Sequence, residues 1–241
     1  MSRALIVFSG GQDSTTVLGK ALHDGFECFA IGFDYGQKHK VELEQAQKIA
    51  DKLNVNYRIV KMHEFGNLVA GETALVGNGG GLDVNARTPL KHMNESVHAS
   101  FVPNRNAMML TIAHAYAQII GAGSIWTGVC ETDYSGYPDC RANFIRALQF
   151  ALNTGYQTNI DIITPLMDIN KAQTFRLAEE VGVLDLVIEE SHTCYNGMRH
   201  THWPWGDGCG NCPACELRAK GWAGYKNLEH IAEGRVTGSI E

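Results

Sequence analysis

Five apolar residues, Ala4 to Phe8, run straight into Ser9-Gly10-Gly11-Gln12-Asp13-Ser14-Thr15-Thr16. No other stretch constrains the fold as tightly. A short run without a polar residue reads as a strand covered on both faces, and two glycines at its end mark a tight turn. A helix is expected to start near Asp13 or Ser14, either of which can cap it, and to reach about Asp24 before Gly25. Cys28 to Phe33 repeats the apolar run. Lys40 to Leu53 is apolar at helical spacing, and Tyr57 opens a third strand. This alternation predicts an α/β fold, an open parallel sheet with helices on both faces.

The rhythm breaks from Met62 to Val102, where "GNGGGLDVN" shows little periodicity. A segment this long is a lid, an insert or a solvated excursion. Pattern resumes at Asn106–Gly121 as an amphipathic helix, followed by a strand at "SIWTGV", a helix at "RANFIRALQFALNTG" and a strand at "IDIITPL". Asn170 with Gln173 forms a capping box, opening a helix that closes at Gly182. Past Glu190 the chain turns rich in Cys, Gly, Trp and His. Two units are therefore expected: residues 1–189, with 62–102 as lid or insert, and a smaller 190–241 region with a loop-rich tail.

Composition removes several classes. At 44% apolar and 19% charged the chain is globular rather than disordered. A net charge of −6 argues against nucleic acid as a partner, since that would call for a basic face. No apolar run reaches the roughly 18 residues that span a bilayer, and "ALIVF" is too short for the core of a secretion signal. Seven cysteines without an export signal point to metal or thiol chemistry in the cytoplasm rather than to disulfides.

The loop after the first strand sits where open α/β sheets bind ligands. Gly10 and Gly11 let the backbone approach a phosphate, and Ser9, Ser14 and Thr15 add hydroxyls. The lysine of a Walker loop is missing. Asp13 would repel phosphate unless it acts through magnesium or orients the loop. A plain strand-to-helix turn remains the alternative.

"SGGQDS" resembles the signature of the PP-loop ATP pyrophosphatases. The resemblance implies a Rossmann-like sheet, a loop that holds the β,γ-pyrophosphate of ATP, and attack at the α-phosphorus with release of AMP. "FDYGQKHK", "FVPNRN", "TGVCETDYSGYPDCR", "CYNG" and "GDGCGNCPAC" resemble the 7-cyano-7-deazaguanine synthase branch of that family, over Ala4 to about Arg218. That branch implies 7-carboxy-7-deazaguanine, ammonia and ATP as substrates, in queuosine or 7-deazapurine biosynthesis. It also implies a homodimer or larger homo-oligomer. With no room for a glutaminase, ammonia comes from solution or a partner.

On this resemblance Asp13, Arg105, Arg141 and Lys171 are candidate catalytic residues, and Gln37 and His39 line the site, His39 as a candidate base. A planar deazaguanine suits stacking by Phe101, Tyr134 and Tyr137, while Glu131, Asp133 and Asp139 can accept from its ring edge. Arg141 can pair with a carboxylate or phosphate. Each has a structural alternative: the aromatics as core, the carboxylates as helix or turn caps.

Cys194, Cys209, Cys212 and Cys215, spaced C-x14-C-x2-C-x2-C, suit one structural zinc per chain, with an iron–sulfur cluster or a redox thiol pair as alternatives. Arg199 to Trp205 departs from the family pattern as an insertion between the first two cysteines. His200 and His202 become possible ligands, and Trp203 and Trp205 a possible cover for the site or an oligomer contact. Asn104 stands where the family pattern has glycine, in a turn that asparagine can make with left-handed backbone. Cys28 reads as core. Cys130 and Cys140 support a rival reading, a PP-loop sulfurtransferase acting on tRNA through a persulfide. A non-catalytic nucleotide or zinc scaffold is the third.

Overall fold

The computed structural model describes residues 1–38, 40–77, 82–89, 96–132 and 137–232. Five strands form one parallel sheet: β1 (Arg3–Val7), β2 (Glu27–Asp34), β3 (Asn56–Lys61), β6 (Ser124–Trp126) and β7 (Asp161–Ile163), in the order β3-β2-β1-β6-β7. The chain builds outward from β1 to β3, then returns to lay β6 on the other side of β1. The order therefore reverses between β1 and β6. Crevices at such a reversal, beyond the carboxyl ends of the strands, are where these sheets take ligands.

β1 is central and follows its pleat. Leu5 packs with Ile31, Leu110, Ala113 and Ile125 on one face, while Ala4 and Ile6 pack with Val17, Leu18, Ile49 and Ala50 on the other. Helices α1 (Gln12–His23) and α2 (Val41–Lys52) cover the second face, and α4 (Arg105–Ile120) the first. The remaining helices are α3 (His63–Val69), α5 (Ala142–Tyr156), α6 (Lys171–Glu180), α7 (Leu184–Glu189) and α8 (Pro213–Ala232).

Three readings of the sequence change. α1 begins at Gln12, and its N-cap is Gly11 with no side-chain cap. Ser14 does not cap the helix; its hydroxyl donates to Gly11 O at 3.2 Å and accepts from Ser9 N at 3.3 Å. The stretch without periodicity holds α3 and an antiparallel pair, β4 (Arg87–Pro89) with β5 (Ser96–His98); elements of seven and three residues are too short to show a period. The C-terminal region, read as a loop-rich tail, carries the 20-residue α8 beside the two-residue hairpin β8 (His202–Trp203) and β9 (Gly206–Asp207). It shares a core with α6 and α7, in which Phe175, Ala178 and Val187 meet Cys194, Cys212, Cys215 and Tyr225.

Asn170 and Gln173 form the expected capping box of α6. Asn104, N-cap of α4, has φ 57°, the left-handed geometry expected of a residue standing in for glycine. Asn104→Gly should therefore leave stability unchanged or slightly higher. Asn104→Val should cost about 1–2 kcal/mol, read from denaturant midpoints at constant slope.

Candidate active site

A cavity of about 290 Å³ opens beyond the carboxyl ends of β1 and β2, beside the segment that follows β6. One wall is the turn from β1 into α1. Gly10 has φ +82°, and a Cβ there would lie 2.6 Å from both Glu42 O and Ala46 N of α2. Only glycine fits. Thr15, fully buried, donates its hydroxyl to Gly11 O at 2.9 Å, and Ser9 Oγ accepts from Gly11 N at 3.3 Å. Gly128 closes the far side, where a Cβ would meet Ser14 N at 3.2 Å. The turn thus puts the positive end of α1 at the cavity, a ready anion site.

Asp13 and Lys171 meet at this wall. Lys171 Nζ donates to both carboxylate oxygens, at 2.8 and 2.6 Å, from a side chain 9% exposed. Lys171 opens α6 and is backed by α8: a Cβ on Gly221 would stand 2.4 Å from Lys171 Cβ. The C-terminal helix therefore seats the lysine that holds the loop's carboxylate.

The opposite wall is aromatic. Arg105, first residue of α4, donates to Tyr35 Oη at 3.4 Å, and Tyr137 Oη lies 2.6 Å from Ser100 Oγ. Burial raises the phenol pKa of Tyr35 and Tyr137 and lifts that of Tyr195 well above its ordinary value, so all three are neutral hydrogen-bonding groups at neutral pH. Burial alone would lower the Arg105 pKa, but Tyr35, Asp139 and Tyr137 hold it above its ordinary value.

Of the residues expected at a site, Ser9, Gly11, Asp13, Ser14, Arg105, Tyr137 and Lys171 line this one cavity. Others are occupied nearby. Gln37 is buried in the turn after β2, accepting from Tyr35 N and donating to Phe33 O and Glu42. Phe101 packs behind Tyr137, ring centroids 5.4 Å apart. Asp139 accepts from Asn106 N in the first turn of α4 with one oxygen, while its other oxygen is buried and unpartnered among the described residues. Glu131 accepts from Ala142 N at the start of α5, where Arg141 is the N-cap. His39, Asp133 and Tyr134 lie outside the described residues.

The sequence reading passed over Tyr35, Glu42, His192, Thr193 and Tyr195, which also line the cavity. Their signal was proximity: two follow "FD" in a quoted motif or its helix, and three precede or follow Cys194.

The four cysteines converge, with all sulfurs within 4.8 Å of one another. Thiolates this crowded repel unless a cation holds them, and four sulfurs make a closed tetrahedral shell. His200 is exposed, and His202 bonds Asp207 at 2.9 Å; neither joins the cluster. Trp203 and Trp205 stack at 5.8 Å, and neither lines the cavity.

Residues 3–226 match the family model described as Queuosine biosynthesis protein QueC. The chain belongs to the QueC family. It is 52% identical over 225 residues to the 7-cyano-7-deazaguanine synthase of Wolinella succinogenes, covering 93% of this chain and 94% of that protein. Against the 7-cyano-7-deazaguanine synthase of Helicobacter pylori strain Shi470 it is 48% identical, covering 92% and 96%. Among solved structures it resembles a 4-thiouridine synthetase in an RNA complex with bound ATP, at TM-score 0.50 and 16% identity. That likeness covers 98% of this chain but 54% of the other, and it speaks to fold alone. In this QueC-family chain, the loop motif therefore sits on the sheet the sequence implied.

The seat behind Lys171 is testable by two substitutions of the same kind. Gly221→Ala should cost about 1–3 kcal/mol, because it overpacks α8 against α6. Gly155→Ala on α5, where a Cβ meets nothing within 4 Å, should instead stabilise by about 0.5–1 kcal/mol. Thermal or denaturant unfolding of both variants reads the contrast.

Proposed function

We propose that this chain is an ATP-dependent 7-cyano-7-deazaguanine synthase, converting 7-carboxy-7-deazaguanine and ammonia to the nitrile with release of AMP and pyrophosphate. The observation that carries the reading is a single cavity joining the loop wall to an arginine- and tyrosine-lined wall; the named relatives support it along nearly the whole chain.

The chemistry runs in two adenylations. A carboxylate oxygen of the substrate attacks the α-phosphorus of ATP, the bond to the bridging oxygen breaks, and pyrophosphate leaves. Ammonia adds to the acyl carbon, AMP departs with the former carboxylate oxygen, and loss of a proton leaves the amide. The amide oxygen then attacks a second ATP. Loss of AMP with that oxygen, and of two protons from nitrogen, gives the carbon–nitrogen triple bond. Neither oxygen would leave unaided; as part of AMP each does.

In this reading the N–H groups of the turn, with Ser9 and Ser14, take the pyrophosphate, and Lys171 and Arg105 offset the charge that develops during transfer. Arg105 also faces the substrate carboxylate, with Tyr35, Tyr137 and Tyr195 as neutral donors around the ring. Asp139, Glu131 and Gln37 support the walls, and Arg141 acts from the start of α5. Magnesium arrives with ATP, and Asp13 is the loop carboxylate that would share it. Zinc is the ion that the four thiolates suit, one per chain, with no position open for chemistry.

A homo-oligomer is the assembly that the family resemblance implies. Four cysteines gathered as a metal site favour the cytoplasm, where thiols stay reduced.

Two features weigh against the sulfurtransferase. Burial pushes the Cys140 thiol up to about 12, the wrong direction for a nucleophile. Cys130 spends its sulfur on Thr132 and Ile169 O.

The deciding assay supplies magnesium ATP, ammonium and 7-carboxy-7-deazaguanine to zinc-replete protein, and follows AMP, ADP and the nitrile by chromatography and mass spectrometry. AMP and the nitrile mass should both depend on the deazaguanine. ADP in place of AMP would overturn the reading of the loop. Cys140→Ala should keep turnover within about threefold, whereas loss of a persulfide carrier would abolish it.

A further inference from the structure

We propose that Thr193 and Arg218 are positioning residues through which the four-cysteine centre sets how tightly the loop after β1 holds its nucleotide. The proposal rests on the ATP-binding reading above. It deepens that reading by giving the C-terminal region a part in affinity as well as in folding.

The two residues before Cys194 grip the loop. His192 N donates to Gly10 O at 2.9 Å, and Thr193 Oγ1 accepts from Gln12 N at 3.4 Å. On its other side the same Thr193 oxygen accepts from Arg218 Nη1 at 2.9 Å. Arg218 lies on α8, three residues beyond Cys215, and its Nη2 donates to Val187 O at 2.6 Å. Gly206 closes over the guanidinium: φ is +111°, and a Cβ there would stand 2.6 Å from Nη2. The arginine is therefore clamped by α7, β9 and its own helix, next to the cysteine cluster. Among the described residues, its bond toward the cavity runs through Thr193.

Arg218 is also electrically unusual. It is completely buried, and among the described residues it makes no ion pair with a carboxylate. A buried charge without a partner is costly and needs an offset. Burial opposes its charge most, and the fields that favour it come from Cys215 on the cluster side, then Asp13 on the loop side and Asp207, with Arg199 opposing. Its charge thus stands between the metal-binding thiolates and the place where a phosphate would sit.

The loop needs that outside support. Gln12 begins α1, and neither atom of its buried side-chain amide has a partner among the described residues. Gly11, the N-cap, supplies no side chain to hold the turn. The start of α1 is therefore held from outside by Thr193 and His192 as well as from within by Ser9, Ser14 and Thr15. Shifting Thr193 by a few tenths of an ångström would re-aim the N–H groups that face the nucleotide. Neither Arg218 nor the cysteine sulfurs need touch ligand for this to operate.

The test is a double-mutant cycle read by calorimetric binding of magnesium ATP. Thr193→Val removes the shared acceptor, and Arg218→Met removes its donor. Metal content and melting temperature are measured beside each. Both variants should retain one metal per chain and bind ATP about tenfold more weakly, as expected for losing a charge-assisted hydrogen bond. KM for ATP should rise with kcat held within about threefold, and KM for the deazaguanine acid should stay within about twofold. The double variant should bind no more weakly than the poorer single, because both act through one contact. Thr193→Ser should restore affinity to within about twofold.

Wild-type affinity in Thr193→Val, or losses that simply add in the double variant, would overturn the proposal. So would failure of Thr193→Ser to restore binding. If Arg218→Met does not fold, the Thr193→Val and Thr193→Ser pair decides alone. Unmodified protein that binds no ATP would sink the nucleotide reading and this inference together. Normal ATP binding that Thr193→Val leaves intact would sink this inference only.

Discussion

The site depends on one approach that tolerates no side chain. Gly10 sits so close to α2 that a Cβ would lie 2.6 Å from two of its backbone atoms. From the other side, its carbonyl is held by His192 N. Between these contacts the turn has no freedom to breathe. Its rigidity fixes the direction in which α1 begins, and with it the first-turn N–H groups, without any side-chain cap. A site for a highly charged anion needs its donors aimed before the anion arrives, since reorganising them later would cost much of the interaction. Here the aiming is done by packing from α2 and from the segment before Cys194, both remote in sequence.

The sheet was legible because its strands obey a strong local rule. The runs Ala4–Val7 of β1 and Cys28–Phe33 of β2 hold no charged or polar side chain and lead into turns, so burial on both faces could be read without neighbours. The strand order was not legible, since nothing local tells β6 to return beside β1. The short elements failed for a different reason: α3, β4 and β5 span too few residues to repeat a period. α8 is 20 residues long yet was lost among cysteines and glycines. Its buried face is made of Ala214, Cys215, Arg218 and Tyr225, and a buried arginine and a metal-binding cysteine do not read as an apolar stripe.

The candidate site was legible where a motif packs many functions into few residues, as at Ser9 to Ser14. It was less legible where polar residues serve the fold beside the cavity. Glu131 and Asp139 look alike as acceptors for a ring edge, yet each accepts from a helix N-terminal N–H, because a free amide in a first turn is a partner always at hand. Gln37 is consumed by its own turn for the same reason. Conversely, nothing in the stretches around Tyr35 and Tyr195 singles these two out, and only the fold brings them to the wall that Arg105 shares.

Charge shows the same separation between the whole and the local. The chain carries −6 overall, which looks ill suited to a polyphosphate. At physiological ionic strength, however, exposed charges are screened over about 8 Å, while buried ones are screened far less. A phosphate bound in the cavity would meet Arg105, Lys171 and the positive end of α1 at short range. Asp13 tempers Lys171 rather than cancelling the site, since its bidentate grip leaves the arginine and the helix terminus uncompensated by it. A negative balance over the whole chain and a cavity suited to a small polyanion are therefore compatible, because a bound phosphate would feel the nearby buried cations far more than distant, screened surface charges.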